Sequence, residues 1–230
     1  KRQDDMSVNK FKGVRACVFD AYGTLFDVHS AVGRHSARLP DASAVSILWR
    51  TKQLEYTWLR TLMGRYVDFW QITQDALNFS LDTYEVTDAA LQQDLMQAYL
   101  ELSCYPEAPK VLEALKEKGF RCAILSNGSA EMLNSAGRNS ALQDFFEAVI
   151  SVDSLGVYKP DPRVYQMAVD QLDLQPGEIA FQSSNAWDAA GAGAFWFKVA
   201  WINRFGQQAE RLGTLADAEL KDLGGLPDLL

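Results

Sequence analysis

The 230-residue chain is 48% hydrophobic and 23% charged, with a formal net charge of -8. That composition suits a globular chain large enough for one sizeable core, or a core with an insertion. The acidic balance argues against nucleic acid or an anionic membrane as partner, because no basic stripe exists to release counterions.

No apolar run reaches the ~18 residues of a membrane span, and residues 1–10 are polar without a signal-peptide core. A cytoplasmic location is therefore expected, with Met6 read as the natural start. Residues 16–19, Ala-Cys-Val-Phe, form a short apolar block of the kind buried on both faces of a parallel sheet. Asp20 then falls at the strand's carboxyl end, where open α/β sheets bind ligands. With Gly23 free to turn tightly and the Thr24 hydroxyl close by, Asp20 is a candidate nucleophile. Taken alone, a strand-terminal aspartate capping a turn is the plainer reading.

Helical spacing follows over 42–62, 68–81 and 88–102; in the last, Leu91, Leu95, Ala98 and Leu102 mark an apolar face. No strand-like block intervenes before Arg121. An all-helical cap over 28–105 is expected, inserted into a core made of 1–27 and 106–230. In the second part of that core, a helix over 111–118 stops at Gly119. Strands are expected at 121–125, 148–152, 179–182 and 199–203, with helices at 163–172 and 189–195. The tail reads as helical or irregular, held by Leu223, Leu226, Leu229 and Leu230. The fold class is α/β: a Rossmann-like doubly wound parallel sheet core with an inserted all-helical cap.

Cys17, Cys104 and Cys122 lack metal-ligand spacing and read as inert thiols. With His29 and His35 the only histidines and no Gly-x-Ser-x-Gly setting, a Ser-His-Asp hydrolase is disfavoured. Four polar clusters remain, all at expected strand ends: Asp20, Ser126-Asn127, Lys159, and Ser183-Ser184-Asn185 with Asp188. Each has a plain reading by itself. Ser126-Asn127 suits a helix N-cap, Lys159 a solvated loop cation, and Asp188 an acid favoured by a helix dipole. Their convergence on one edge of the sheet points instead to one site.

Asp20-Ala-Tyr-Gly-Thr24, Ser126-Asn-Gly128, Val157-Tyr-Lys-Pro-Asp161 and Ser183-Ser-Asn-Ala-Trp-Asp188 resemble the motifs of the haloacid dehalogenase superfamily. With Trp-Arg-Thr-Lys-Gln-Leu-Glu-Tyr-Thr-Trp-Leu-Arg over 49–60, the resemblance is to its L-2-haloacid dehalogenases and spans nearly the whole chain. The superfamily's phosphatases carry a second acid two residues after the first; Tyr22 stands there, and Asp20 with Asp188 alone would serve a hard dication poorly. No metal and no cofactor is expected.

The resemblance implies that Asp20 attacks C2 of a short (S)-2-haloalkanoate and expels halide with inversion. Water then hydrolyses the aspartyl ester to an (R)-2-hydroxy acid. Lys159 would stay cationic and keep the nucleophile ionised. Ser126, with nearby backbone N–H groups, would hold the substrate carboxylate. Arg50 and Asn127 would cradle the halide, with the Trp187 ring edge against it. Asp188 would hold Lys159 and activate or orient water, and Thr24, Tyr165, Ser183 and Asn185 would complete the site. Ala21 joins the substrate contacts, and Tyr22, Leu54, Phe69 and Trp187 the apolar wall. On spacing alone, Arg50 is a solvated helix residue and the aromatics are plain core.

Two positions depart from the family's pattern: Thr51, where relatives often carry Gln, and Trp196, where they usually have Gly. The expected partners are the small-molecule substrate and halide, with a homodimer implied by the relatives. Two other readings are a sibling hydrolase opening a strained 2-carboxylate ring of the azetidine-2-carboxylate type, and a non-catalytic small-acid binding protein on the same fold.

Overall fold

The computed structural model describes residues 11–230; residues 1–10, with Met6 and the expected beginning of the core, lie outside them. The strands are β1 (Ala16–Phe19), β2 (Arg121–Ser126), β3 (Ala148–Ser151), β4 (Ile179–Ser183), β5 (Lys198–Ile202) and β6 (Ala218–Leu220). They pair in parallel in the order β3-β2-β1-β4-β5-β6. From β1 the chain winds outward through β2 and β3, then returns and winds the other way from β4. The reversal leaves a crevice at the carboxyl ends of β1 and β4, the usual ligand site of such sheets. Every residue of β1 and β4 is buried, which explains their near-continuous apolar sequences.

Between β1 and β2 lie α1 (Ser30–Gly33), α2 (Ala42–Met63), α3 (Phe69–Thr83), α4 (Ala89–Leu100) and α5 (Ala108–Glu117). Asp41, Asp68 and Asp88 accept from the N–H three residues on, capping α2, α3 and α4. The chain leaves and re-enters the sheet through one narrow neck, where Asp27 N donates to Ser103 O and Tyr105 N to Leu25 O, both at 2.9 Å. The helical segment reaches back over the sheet edge: Tyr158 N donates to Thr61 Oγ1 at 3.1 Å, and its hydroxyl to Val67 O at 2.5 Å.

After β2 come α6 (Ala130–Asn139), α7 (Pro162–Leu172) and α8 (Ala186–Ala194). Several details differ from the sequence expectation, among them the start of α5 at Ala108 rather than 111. The four-residue α1 and the helix α6 were not anticipated; α6 is capped by Ser129, which accepts from Met132 N, so Ser126 and Asn127 are not its caps. The helix expected from 189 begins at Ala186, putting Asp188 in its first turn. The tail contains β6, three residues added to the sheet edge through pairing with β5, too short and too polar to stand out.

Trp196 has a conformational reading. Its φ is +72°, its N–H bonds Gly193 O and the next N–H, of Phe197, bonds Ala192 O. These two bonds close α8 in the paired pattern whose left-handed position favours glycine. The Trp196 side chain is 80% exposed, so little packing compensates the strain of ~1–2 kcal/mol for a side chain in that region. Trp196→Gly is expected to raise stability by up to about 1 kcal/mol after the greater freedom of unfolded glycine is subtracted. Urea unfolding checks it; a lower midpoint in the glycine variant would contradict the strain argument.

Candidate active site

The crevice holds a buried ion cluster. Lys159 Nζ lies 3.1 Å from Asp20 Oδ1 and 2.9 Å from Asp188 Oδ2. Asp20 extends from the end of β1, Asp188 from the first turn of α8, and Lys159 from the loop before α7. The lysine is 1% exposed and its ammonium sits 5.0 Å from the Phe181 ring centroid. Burial by itself would pull its pKa down, but the two carboxylates more than offset this and hold it above the ordinary value. Burial, aided by the like charge of Asp20, pushes the Asp188 carboxyl up against the opposing pull of Lys159 and Tyr165. The Tyr165 hydroxyl donates to Asp188 Oδ1 at 2.8 Å; burial and the adjoining carboxylate keep that phenol protonated by raising its pKa.

The two oxygens of Asp20 differ. Oδ2 accepts from Asn185 Nδ2 at 2.9 Å, Thr24 Oγ1 at 3.0 Å and Ser183 Oγ at 3.4 Å. Oδ1 meets only the lysine among the described side chains. Thr24 is itself oriented, accepting from Ser184 N at 2.8 Å. The turn carrying it needs Gly23, whose φ is +90° and whose added Cβ would stand 3.1 Å from Ser184 Oγ.

The expected residues fall into three groups around this cluster. Thr24, Ser183, Asn185, Lys159 and Tyr165 bond Asp20 or Asp188 directly, and Lys159 bridges the two carboxylates. Ser126 is buried at the end of β2 and accepts from Gly128 N at 3.0 Å, while Asn127 Oδ1 accepts from Lys159 N at 3.0 Å. Asn127 is thus tied to the lysine's own backbone. Arg50 reaches in from α2, its Nη2 donating to Tyr22 O at 3.1 Å and Asn185 Oδ1 at 3.2 Å.

The apolar residues separate. Tyr22 and Phe69 are buried with ring centroids 5.6 Å apart, and Gly128 lies so close to the Tyr22 ring that an added Cβ would clash at 2.6 Å. Leu54 and Trp187 instead line an outer cavity of about 430 Å³ beside Arg50 and Asn185. Thr51 stands at its margin with its hydroxyl turned back to Ile47 O at 2.8 Å. Ala21 is buried, and its carbonyl accepts from the N–H groups of Thr24, Leu25 and Phe26.

Sequence reasoning passed over two polar groups on the helical side, Gln53 and the Tyr99 hydroxyl. Both are buried and hydrogen-bonded to each other, and Gln53 accepts from Arg50 Nη1 at 2.8 Å. The available signal was a glutamine three residues after Arg50 on the buried side of an amphipathic helix.

A family model described as haloacid dehalogenase-like hydrolase matches residues 14–195. (S)-2-Haloacid dehalogenase 1 of Pseudomonas sp. (strain CBS-3) is 51% identical over 219 residues, 94% of this chain and 96% of the relative. (S)-2-Haloacid dehalogenase 4A of Burkholderia cepacia is 54% identical over 199 residues, 86% of each chain. The solved L-2-haloacid dehalogenase of Xanthobacter autotrophicus with chloropropionic acid covalently bound superposes with a TM-score of 0.88. It is 38% identical, covering 94% of this chain and 98% of the other.

The Tyr165 bond to Asp188 can be tested apart from any activity. Tyr165→Phe removes a donor that favours the carboxylate, so the Asp188 titration, followed by carboxyl-carbon NMR, should move to higher pH. Stability should fall by roughly 1.5–3 kcal/mol while Asp188 is ionised, and the deficit should shrink toward the about 0.5–1.5 kcal/mol of a neutral hydrogen bond as pH drops below the Asp188 pKa. An unmoved or lowered titration would contradict the assigned contact.

Proposed function

The chain belongs to the haloacid dehalogenase-like hydrolases, and from that premise we propose that it hydrolyses short (S)-2-haloalkanoic acids to (R)-2-hydroxy acids. The observation that carries the reading is the asymmetry of the Asp20 carboxylate. Oδ2 is engaged by three neutral donors, which leaves Oδ1, beside Lys159, as the attacking oxygen. In-line attack on C2 releases halide and makes Oδ1 the ester oxygen and Oδ2 the ester carbonyl. When water adds to the side-chain carbonyl carbon, negative charge develops on Oδ2, and Thr24, Ser183 and Asn185 are already aimed at it. Donors placed in advance at such an oxygen are worth about 10²–10³ in rate each.

The other roles follow from position. Ser126, at the end of β2 with its Oγ accepting from Gly128 N, takes the substrate carboxylate through its hydroxyl. Arg50, with Asn127 and the Trp187 ring edge, receives the departing halide; Tyr22, Phe69 and Leu54 flank the alkyl group. Asp188 fixes Lys159, and its raised pKa suits it to take a proton from water. Residues 28–105 act as the cap that carries Arg50 to a core of 1–27 and 106–230. Neither other reading of the sequence gains support from the likenesses found.

Metal independence belongs to the same proposal. The Lys159 ammonium already bridges Asp20 and Asp188, and Tyr22 stands where the phosphatases of the superfamily have their second acid. We also infer a cytoplasmic homodimer. Three free cysteines suit a reducing compartment, and no helix among the described residues is long and apolar enough to cross a membrane. On α2 and α3, Leu59, Leu62, Met63 and Phe79 stand exposed together, Leu62 at 83%, an apolar surface suited to a second copy.

Halide release from (S)- and (R)-2-chloropropionate after exhaustive chelation tests the reading. Turnover of the (S) acid alone, undiminished by chelation and lost in Asp20→Asn, is expected. Magnesium-dependent phosphate-ester hydrolysis without halide release would overturn it.

A further inference from the structure

Arg50 is a cation with three neutral acceptors. Its guanidinium donates to Gln53 Oε1, Tyr22 O and Asn185 Oδ1, and none of the ion pairs among described residues includes it. An arginine fork binds a carboxylate more strongly than a neutral oxygen, so this arrangement fixes the side chain without cancelling its charge.

Gln53, one turn along α2 and 1% exposed, supplies the innermost of the three acceptors, and its neighbours dictate which way its amide points. The Thr73 hydroxyl gives its single proton to Phe69 O at 2.6 Å. Thr73 Oγ1 therefore faces Gln53 only as an acceptor, and the group 2.8 Å away must be the amide nitrogen. That turns Oε1 toward Arg50. The Tyr99 hydroxyl, 3.1 Å from Nε2 and 3.2 Å from Oε1, packs against both ends of the amide. The relay runs from the Phe69 backbone through Thr73 and Gln53 to the guanidinium, all within the helical insertion.

We propose that Gln53 is a positioning residue that holds the Arg50 guanidinium against Asn185, itself a donor to Asp20, while leaving its positive charge uncompensated for the leaving halide. The proposal rests on the halide-releasing reading above. It adds a determinant of leaving-group range that lies outside the substrate's reach. A glutamate in the same place would differ by one atom and would pair with Arg50, weakening the field felt by a departing anion. Chloride, the smaller ion and the poorer leaving group, depends more on that field than bromide does.

The test compares kcat/KM for (S)-2-chloropropionate and (S)-2-bromopropionate in wild type, Gln53→Glu and Gln53→Met, with folding followed by circular dichroism. This constant covers the steps through ester formation and excludes later hydrolysis of the ester. Gln53→Glu should lose about tenfold or more on the chloro acid and clearly less on the bromo acid, raising the bromo-to-chloro ratio at least about threefold. Gln53→Met, which frees Arg50 without neutralising it, should fall between wild type and Gln53→Glu in that ratio. An unchanged ratio in a folded Gln53→Glu, whether both rates fall together or neither falls, would overturn the proposal. If Gln53→Glu does not fold, a wild-type ratio in Gln53→Met overturns it and a raised ratio supports it. If neither variant folds, Gln53 is a packing residue and the proposal fails. A wild type that releases no halide would overturn the functional reading itself, and with it this proposal.

Discussion

One buried ammonium shared by two carboxylates governs the rest of the structure. Lys159, Asp20 and Asp188 lie where the sheet reverses direction, almost without solvent. Ions so placed are tolerated only when paired and hydrogen-bonded, and removing one member of a buried pair costs about 3–5 kcal/mol. The surroundings supply what the pairing leaves unmet: Tyr165 on Asp188, three neutral donors on Asp20 Oδ2, and Asn127 on the lysine's own N–H. The cluster therefore ties β1, β4, α7 and α8 to one another.

The helical insertion contributes charge of the same sign as Lys159 from the opposite side. Two aspartates, Lys159 and Arg50 together carry no net formal charge. Substrate adds one negative charge, and conversion of Asp20 to an ester transfers another to the halide. Asn185 joins the core to the insertion by donating to Asp20 and accepting from Arg50. Such preorganisation limits the rearrangement needed during the reaction.

Much of this was legible in the residues. Asp20 at the end of an apolar block, and the polar clusters at 126–127, 159 and 183–188, predicted one crevice because parallel strands place their carboxyl ends on one edge. The three long helices of the insertion were readable from apolar spacing. What escaped depends on tertiary context. β6 exists only because a sheet edge stabilises three residues. The helix α8 starts three residues before the expected 189, and its cap residue Asn185 spends its side chain on Asp20 and Arg50 rather than on the helix, which only the folded structure shows. Arg50 and Gln53 belong to a helix whose sequence does not say which neighbours its polar side chains meet. Trp196 was visible as a departure, but its left-handed backbone was not.

The central claim is that Asp20 itself forms the bond to carbon. A single turnover in ¹⁸O-water, with enzyme in excess over (S)-2-chloropropionate, tests it most directly. If water attacks the side-chain carbonyl of an ester, the lactate hydroxyl oxygen comes from Asp20. The account predicts unlabelled lactate and ¹⁸O in the peptide containing Asp20. Label in the lactate of the first turnover would mean that water attacks C2 directly, and would contradict it.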